Sequence, residues 1–133
     1  MQEPVVSLEQ ARKEVEQWLD SKKISEKKRA ANENQIDVLV DAISQGDLLL
    51  KEDNVFVHKL KFPLDSPKTT ELEYKQRLTL SETHVALQNV KQGDNDGRLL
   101  AYVCALTLKT KGVLGKLDTG DYDICVAIAV FFA

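Results

Sequence analysis

The 133-residue sequence contains few of the residues that build metal centres and nucleophilic sites. Its two histidines and two cysteines show no metal-ligand spacing of the HxxxH or CxxC type. It also lacks a glycine-rich phosphate loop and a GxSxG nucleophile turn. We therefore predict no enzymatic activity, no catalytic residue, no cofactor and no metal site, and we expect His58 and His84 to be surface or half-buried side chains.

Acidic residues do not supply a catalytic pair either. Asp121 and Asp123 are two positions apart, so on a helix their side chains point to different sides. A carboxylate pair for acid–base chemistry would need both groups to face one point. We interpret these two aspartates as ordinary members of an acid-rich chain.

Positive charge is not in excess. The chain holds 18 lysines and arginines against 21 aspartates and glutamates, a formal net charge of −3. Nucleic acid repels an acidic chain unless cations gather in a patch. The densest basic stretch, residues 22–29, is interrupted and flanked by acidic residues, which is typical of a solvated face. We predict no binding to nucleic acid.

No apolar run reaches the length of about 20 residues that a helix needs to span a bilayer. The run at residues 124–133 is uncharged but short, and aspartates precede it in place of the lysines or arginines that contact lipid headgroups. The first residues show no basic segment followed by an apolar one, as a signal peptide would. We expect a cytoplasmic protein without membrane contact.

Residues 1–46 carry the signals of two helices and are interpreted as an N-terminal helical region. Ser7 with Gln10 three residues later is typical of a capped helix start, and apolar residues then recur at helical spacing. Ser25 can cap a second helix, and Gly46 is placed to end it.

From residue 47 onward the apolar period changes to that of strands. A turn signal at residues 52–54 separates two short apolar runs and predicts a hairpin. Pro63 and Pro67 predict a chain break and a loop over residues 65–70. Residues 71–80 alternate apolar and polar side chains, which indicates a half-buried strand. An antiparallel sheet of about three strands is the simplest assembly.

The remaining residues predict three helices. One begins at Ser81, a mostly apolar one ends at Gly112 after a flexible loop at residues 91–97, and Thr119 caps the last. The fold class is therefore α+β, mostly helical with a small antiparallel sheet, in the order α-α-β-β-β-α-α-α. We expect residues 47–133 to form an α+β region that packs with residues 1–46 into one compact domain.

Three segments between residues 55 and 133 carry a more specific pattern. They are KLKFPL at residues 59–64, LTLSETHVAL at residues 78–87, and an ending that contains Leu117, Asp118, Asp121, Tyr122, Ile128, Phe131 and Phe132. In this order and spacing the segments resemble the tail assembly chaperones of long-tailed bacteriophages. The resemblance covers a little over half of the chain.

The resemblance implies a non-enzymatic role in phage or prophage tail assembly. Such a chaperone keeps the tape-measure protein soluble in the bacterial host cytoplasm, assists assembly of the tail-tube protein around it, and is absent from the mature virion. The implied partners are the tape-measure protein, the tail-tube protein and further copies of the chain. A small cytoplasmic regulatory or protein-interaction module, with DNA binding as one form, is the alternative, and an enzyme whose site is completed by a partner is a third class.

The apolar end of the chain is the predicted partner-binding surface. We assign Val130, Phe131 and Phe132 to it, together with Tyr122, because adjacent exposed phenylalanines form the kind of patch that marks interaction sites. The alternative is a final helix enclosed by the fold, with both rings in the core.

Overall fold

A computed structural model describes residues 5–133 and, within them, seven helices and three strands. The chain runs through α1 (Leu8–Ser21), α2 (Glu26–Ala31), α3 (Glu33–Ser44), β1 (Leu48–Leu50), β2 (Phe56–Asp65) and β3 (Lys68–Glu73). It continues through α4 (Leu80–Leu87), α5 (Asn95–Thr107), α6 (Lys111–Leu114) and α7 (Thr119–Ala129). The predicted α+β class and the order of helices, strands and helices are confirmed, with α2 and α6 as short additions.

Side-chain caps set the first helices as the sequence predicted. Ser7 Oγ accepts the Gln10 amide at 3.1 Å, and Ser25 Oγ accepts the Lys28 amide at 3.2 Å. These bonds satisfy amide groups that have no partner in a first helical turn. Gly46 follows α3 with φ +84°, a left-handed conformation that glycine adopts at little cost.

The sheet has the order β1-β2-β3, and both pairs are antiparallel. The first hairpin turns at the predicted residues, where Asn54 has φ +61°. The expected break at Pro63 is wrong: β2 continues through it, because the pairing register shifts between Lys59 and Leu64. Such an irregularity accommodates a residue that has no amide hydrogen.

Two more boundaries differ from the prediction. The expected loop over residues 65–70 is a tight turn at Ser66 and Pro67, since Asp65 already pairs with Lys68. The third strand ends at Glu73, well before Leu80. It ends there because the chain turns towards α5, where the Leu106 carbonyl accepts the Lys75 amide at 2.9 Å.

The last helices keep their predicted places but not their ends. α4 starts one residue before Ser81, because Thr79 and Glu82 form a reciprocal capping box. α5 begins inside the predicted loop and ends at Thr107, where Leu108 takes a left-handed conformation, instead of at Gly112. α7 is capped by the Asp118 carboxylate, not by Thr119.

One cluster of buried apolar side chains extends across helices and sheet, and residues on both sides of position 46 contribute to it. Trp18 of α1 contacts the ring of Phe56 on β2 at a centroid distance of 4.7 Å. α3 packs against both α1 and α7. Within residues 5–133, no helix combines the length and the apolar character needed to cross a membrane.

Candidate functional site

An open apolar groove of about 640 Å³ lies between α4 and α5 and continues beside α6. The α4 side carries Val85, Ala86 and, just after the helix ends, Val90. The α5 side carries Leu100, Ala101, Cys104 and, just after that helix ends, Leu108. Lining positions recur three or four residues apart on each helix, so each helix presents one face to the groove. The groove is open to solvent, and most of its lining is apolar.

Exposed aliphatic side chains surround this groove. Leu108 is 75% exposed and Val85 is 66% exposed, and both line it. Leu80, the first residue of α4, is 83% exposed but does not line the groove. No residue of α4 is buried, although the helix packs along α5. Apolar surface that is gathered in this way is typical of interaction sites.

The two ends of the groove differ in charge. Lys75 forms an ion pair with Glu82 near the start of α4, and Lys111 lines the same end. The hydrogen bond from Lys75 and the amide of Thr79 hold the pKa of Glu82 down to about 2. At the other end, Asp94 caps α5 by accepting the Gly97 amide at 3.0 Å, and Asp96 lies in its first turn. The end at Lys111 is therefore cationic, whereas the other end holds charges of both signs, since Arg98 follows Asp96 in α5.

The groove contains one thiol. Cys104 is half-buried in its floor, and burial raises the pKa of this cysteine above its ordinary value. A thiol with a raised pKa stays protonated at neutral pH and is a poor nucleophile. The groove therefore offers an apolar binding surface and no activated thiol.

The structure separates the predicted partner residues. Tyr122 is half-buried and lines a smaller, neighbouring groove of about 350 Å³ between α5 and the α6–α7 segment, with Leu100, Leu117 and Asp96. Val130 and Phe132 lie at the far end of α7, about two turns away, and are half-buried. The four residues therefore do not form one surface.

Phe131 lies in the core. Its side chain is only 2% exposed, and its ring meets Trp18 edge-on at 5.8 Å. Phe132 packs at 6.1 Å from Trp18, and Lys22 Nζ lies 3.6 Å above its ring. Phe131 therefore has no exposed face for a partner in this conformation. Its position agrees with the alternative that the fold encloses the final helix. For Val130, Phe132 and Tyr122, partner binding stays a prediction.

A buried polar cluster lies where β2, β3 and α7 meet, and the sequence did not reveal it. It consists of His58, Tyr74, Asp121 and Cys125. His58 is completely buried, so the expected surface or half-buried position is wrong, whereas His84 is exposed as expected. Asp121 and Cys125 are four residues apart in α7, a spacing that places both on one helix face and could have indicated a shared polar site.

Backbone amides of β2 make the burial of Asp121 tolerable. Its carboxylate accepts the Lys61 amide at 3.0 Å and the Phe62 amide at 3.1 Å, where the β2–β3 pairing is irregular. His58 Nε2 lies 3.5 Å from Asp121 Oδ1 and finds no hydrogen-bond partner within the described chain. Charge-assisted bonds to amides offset the cost of burying a carboxylate.

The cluster contains the residue types of a nucleophilic triad but cannot act as one. The Tyr74 hydroxyl donates to Cys125 Sγ at 3.0 Å, while His58 Nδ1 is 4.0 Å from that sulfur. Burial raises the pKa of Cys125 to about 12, so the thiol is not ionised near neutral pH. None of these side chains reaches solvent, and we assign the cluster to holding α7 against the sheet.

Neither metal-ligand geometry nor comparison with known proteins indicates a function for this chain. Within residues 5–133, no group of three or more histidine, cysteine, aspartate or glutamate side chains is arranged to hold a metal ion. Comparison with protein-family models, curated proteins and solved structures gave no match to this chain. The groove between α4 and α5 and the sequence resemblance therefore carry the functional inference.

Proposed function

We propose that this protein is a non-enzymatic phage tail assembly chaperone that keeps a tape-measure protein soluble and assists assembly of the tail tube. It would act in the bacterial host cytoplasm and leave before the virion is mature. The observation that carries the proposal is the groove, with its exposed Val85 and Leu108. The resemblance of residues 55–133 indicates the client.

The shape of the groove suits a single amphipathic helix. A helix with its side chains is about 10–12 Å wide, and a third helix can pack its ridges between α4 and α5. A tape-measure protein presents such helices before the tube covers them. The client's apolar stripe would lie on Val85, Leu100 and Leu108, and its polar face would stay in water.

The strength of this contact would suit a temporary role. Each well-buried aliphatic side chain contributes about 1.5–3 kcal/mol before the costs of association are subtracted. A groove with a few such contacts therefore binds one helix with modest affinity. Tail-tube subunits can then displace the chaperone, and several chaperones along one client would protect it together.

The test is retention of tape-measure fragments by the purified chain. Co-expressed helical fragments of the tape-measure protein from the same phage or prophage genome should co-purify with the chain. Val85→Glu should abolish this, because it places a charge on the groove wall. Leu49→Glu is the matched control, since Leu49 is 51% exposed on β1, away from the groove, and this variant should retain the fragments. Equal retention by both variants would contradict the assignment of the groove.

A further inference from the structure

We propose that α4 is a movable lid on the groove. In the free chain it detaches from α5 and unfolds as one unit while the rest of the fold stays intact, and a bound client helix holds it closed. The opening follows from the way α4 is packed, whereas its closing by a client rests on the proposed function.

α4 is weakly packed in comparison with the other long helices. Five helices of the described chain have eight or more residues, and α4 is the one among them without a buried residue. By contrast, four residues of α5 and six of α7 are buried. Segments with few buried apolar contacts open at a lower free-energy cost than the core does. α4 is therefore the long helix that opens most readily.

The surroundings of α4 leave it free to move. Its main neighbour among the described elements is α5, and the groove lies between the two helices. Residues 88–94 join α4 to α5 and form neither a helix nor a strand. Within this segment Gly93 has φ +86°, and a Cβ atom there would meet no group within 4 Å. The segment can therefore change conformation without displacing the core.

Two attachments hold the lid closed. Lys75 lies outside α4, where its amide donates to the Leu106 carbonyl at 2.9 Å, and its side chain pairs with Glu82 in the first turn of α4. Leu87 in the last turn is half-buried against the core. The two charged side chains are about one-third exposed, and ion pairs that water reaches contribute little. Opening therefore loses one weak ion pair and the partial burial of one leucine.

Detachment from α5 also unfolds α4. The helix has 8 residues, and isolated helices shorter than about 12–15 residues are marginal in water. The capping box between Thr79 and Glu82 stabilises its first turn alone. Backbone amides of α4 therefore become exposed to solvent whenever the lid opens, and hydrogen exchange measures that event.

A lid of this kind lets a helix enter and leave the groove from the side. A client that packs between α4 and α5 binds the closed state and shifts the chain towards it. Part of the binding free energy is then used to order α4, which lowers the apparent affinity. The lid thus regulates the groove by making release of the client easy.

Native-state hydrogen exchange of the full chain tests the opening. Amides of residues 83–87 should be protected at least roughly a hundredfold less than those of residues 124–129 in α7. They should also share one protection factor within about threefold, because they open as one unit. Fraying would instead give protection that falls steadily towards one end of α4.

Lys75→Met tests the ion pair, because it removes the charge and leaves the capping box of Glu82 in place. It should speed the exchange of residues 83–87 by roughly twofold to fivefold and leave α7 unchanged. Arg12→Met is the matched control. It removes the exposed ion pair between Arg12 of α1 and Asp37 of α3, and it should not change exchange in α4.

Three results for the free chain would overturn the lid: equal protection in α4 and α7, protection graded along α4, or unchanged exchange in Lys75→Met. Helical tape-measure fragments, added at about ten times their dissociation constant, should raise the protection of residues 83–87 roughly tenfold. Fragments that bind without this effect would also contradict the proposal. If the free chain opens as described but retains no fragment, the proposed function is wrong and the opening stands.

Discussion

The molecule has two apolar regions that differ in what covers them. α7 ends in the most apolar stretch of the chain, and its side chains are enclosed by α3, α5 and β2. α4 is shorter and more polar, but it carries Leu80 and Val85 in solvent. A high density of apolar residues therefore identified the core, whereas the proposed binding surface lies where a mixed sequence leaves large apolar side chains exposed.

This comparison makes opposite predictions for stability and association. Substitutions around α7 should unfold the chain, and substitutions on α4 should change what it binds. The following predictions test this division from the largest expected effect to the smallest.

Phe131→Ala should lower the free energy of unfolding by about 4 kcal/mol, because it leaves a cavity beside Trp18 in the core. Urea denaturation followed by the fluorescence of Trp18, the only tryptophan, measures this. A loss below about 1 kcal/mol, the size of an average substitution, would show that the Phe131 ring is not part of the core.

Asp121→Ala should cost about 3 kcal/mol, because the amides of Lys61 and Phe62 lose their acceptor inside the protein. Asp123→Ala is the control, since Asp123 lies two residues further along α7, is exposed, and should change stability by no more than about 0.5 kcal/mol. Chemical denaturation of both variants gives the difference. Equal effects would contradict a structural role for the buried carboxylate.

His58 should make stability depend on pH. Burial lowers its pKa in the folded chain, although Asp121 and Asp47 oppose the shift. The unfolded chain then binds a proton more readily than the folded chain. The contribution of neutral His58 to the free energy of unfolding is therefore complete above the ordinary pKa of about 6.5 and is lost as pH falls below it. Tyr74 and Cys125, the other groups around the ring, stay neutral in this range because burial raises the pKa of each.

The measurement is the free energy of unfolding between about pH 7.5 and pH 5, where an ordinary histidine titrates. Compared with the unchanged chain, His58→Gln should reduce the loss of unfolding free energy by up to about 1.4 kcal/mol for each pH unit below 6.5. His84→Gln should leave the slope unchanged, because His84 is exposed. Identical slopes in all three proteins would remove His58 as the source.

Val85→Ser should change the free energy of unfolding by no more than about 0.5 kcal/mol, because the side chain is mostly in solvent. The same variant should weaken retention of tape-measure fragments, because Val85 lines the groove. Thermal unfolding and co-purification of one preparation measure both properties. A large loss of stability would place Val85 in the core and remove the contrast between α4 and α7.

The sequence predicted those features that local chemistry sets. Ser7, Ser25 and Gly46 act within one helical turn, so their patterns were enough to place the ends of helices. The predictions of a chain break at Pro63 and of a third strand that reaches Leu80 were wrong, because both depend on contacts with distant elements. The strand tolerates Pro63 at an irregular pairing, and the chain leaves the sheet after Glu73 to meet α5.

The candidate site was predictable only in part. The resemblance pointed to protein binding, but the apolar end drew attention to Phe131, which the fold encloses. The groove depends on α4 and α5 lying side by side. The spacing of residues within one helix does not indicate which other helix it packs against. Likewise, His58 and Asp121 meet only because a strand and a helix from distant parts of the chain pack together.

The Asp121 carboxylate also has a consequence for how the β2–β3 hairpin selects its alignment. A slip of one residue in β2 would turn the Lys61 and Phe62 amides away, and the carboxylate would be buried without partners. Misaligned pairings are therefore penalised by a residue 60 positions further along the chain. Docking of α7 therefore favours the observed strand register. A chain in which α7 cannot dock should sample several hairpin alignments.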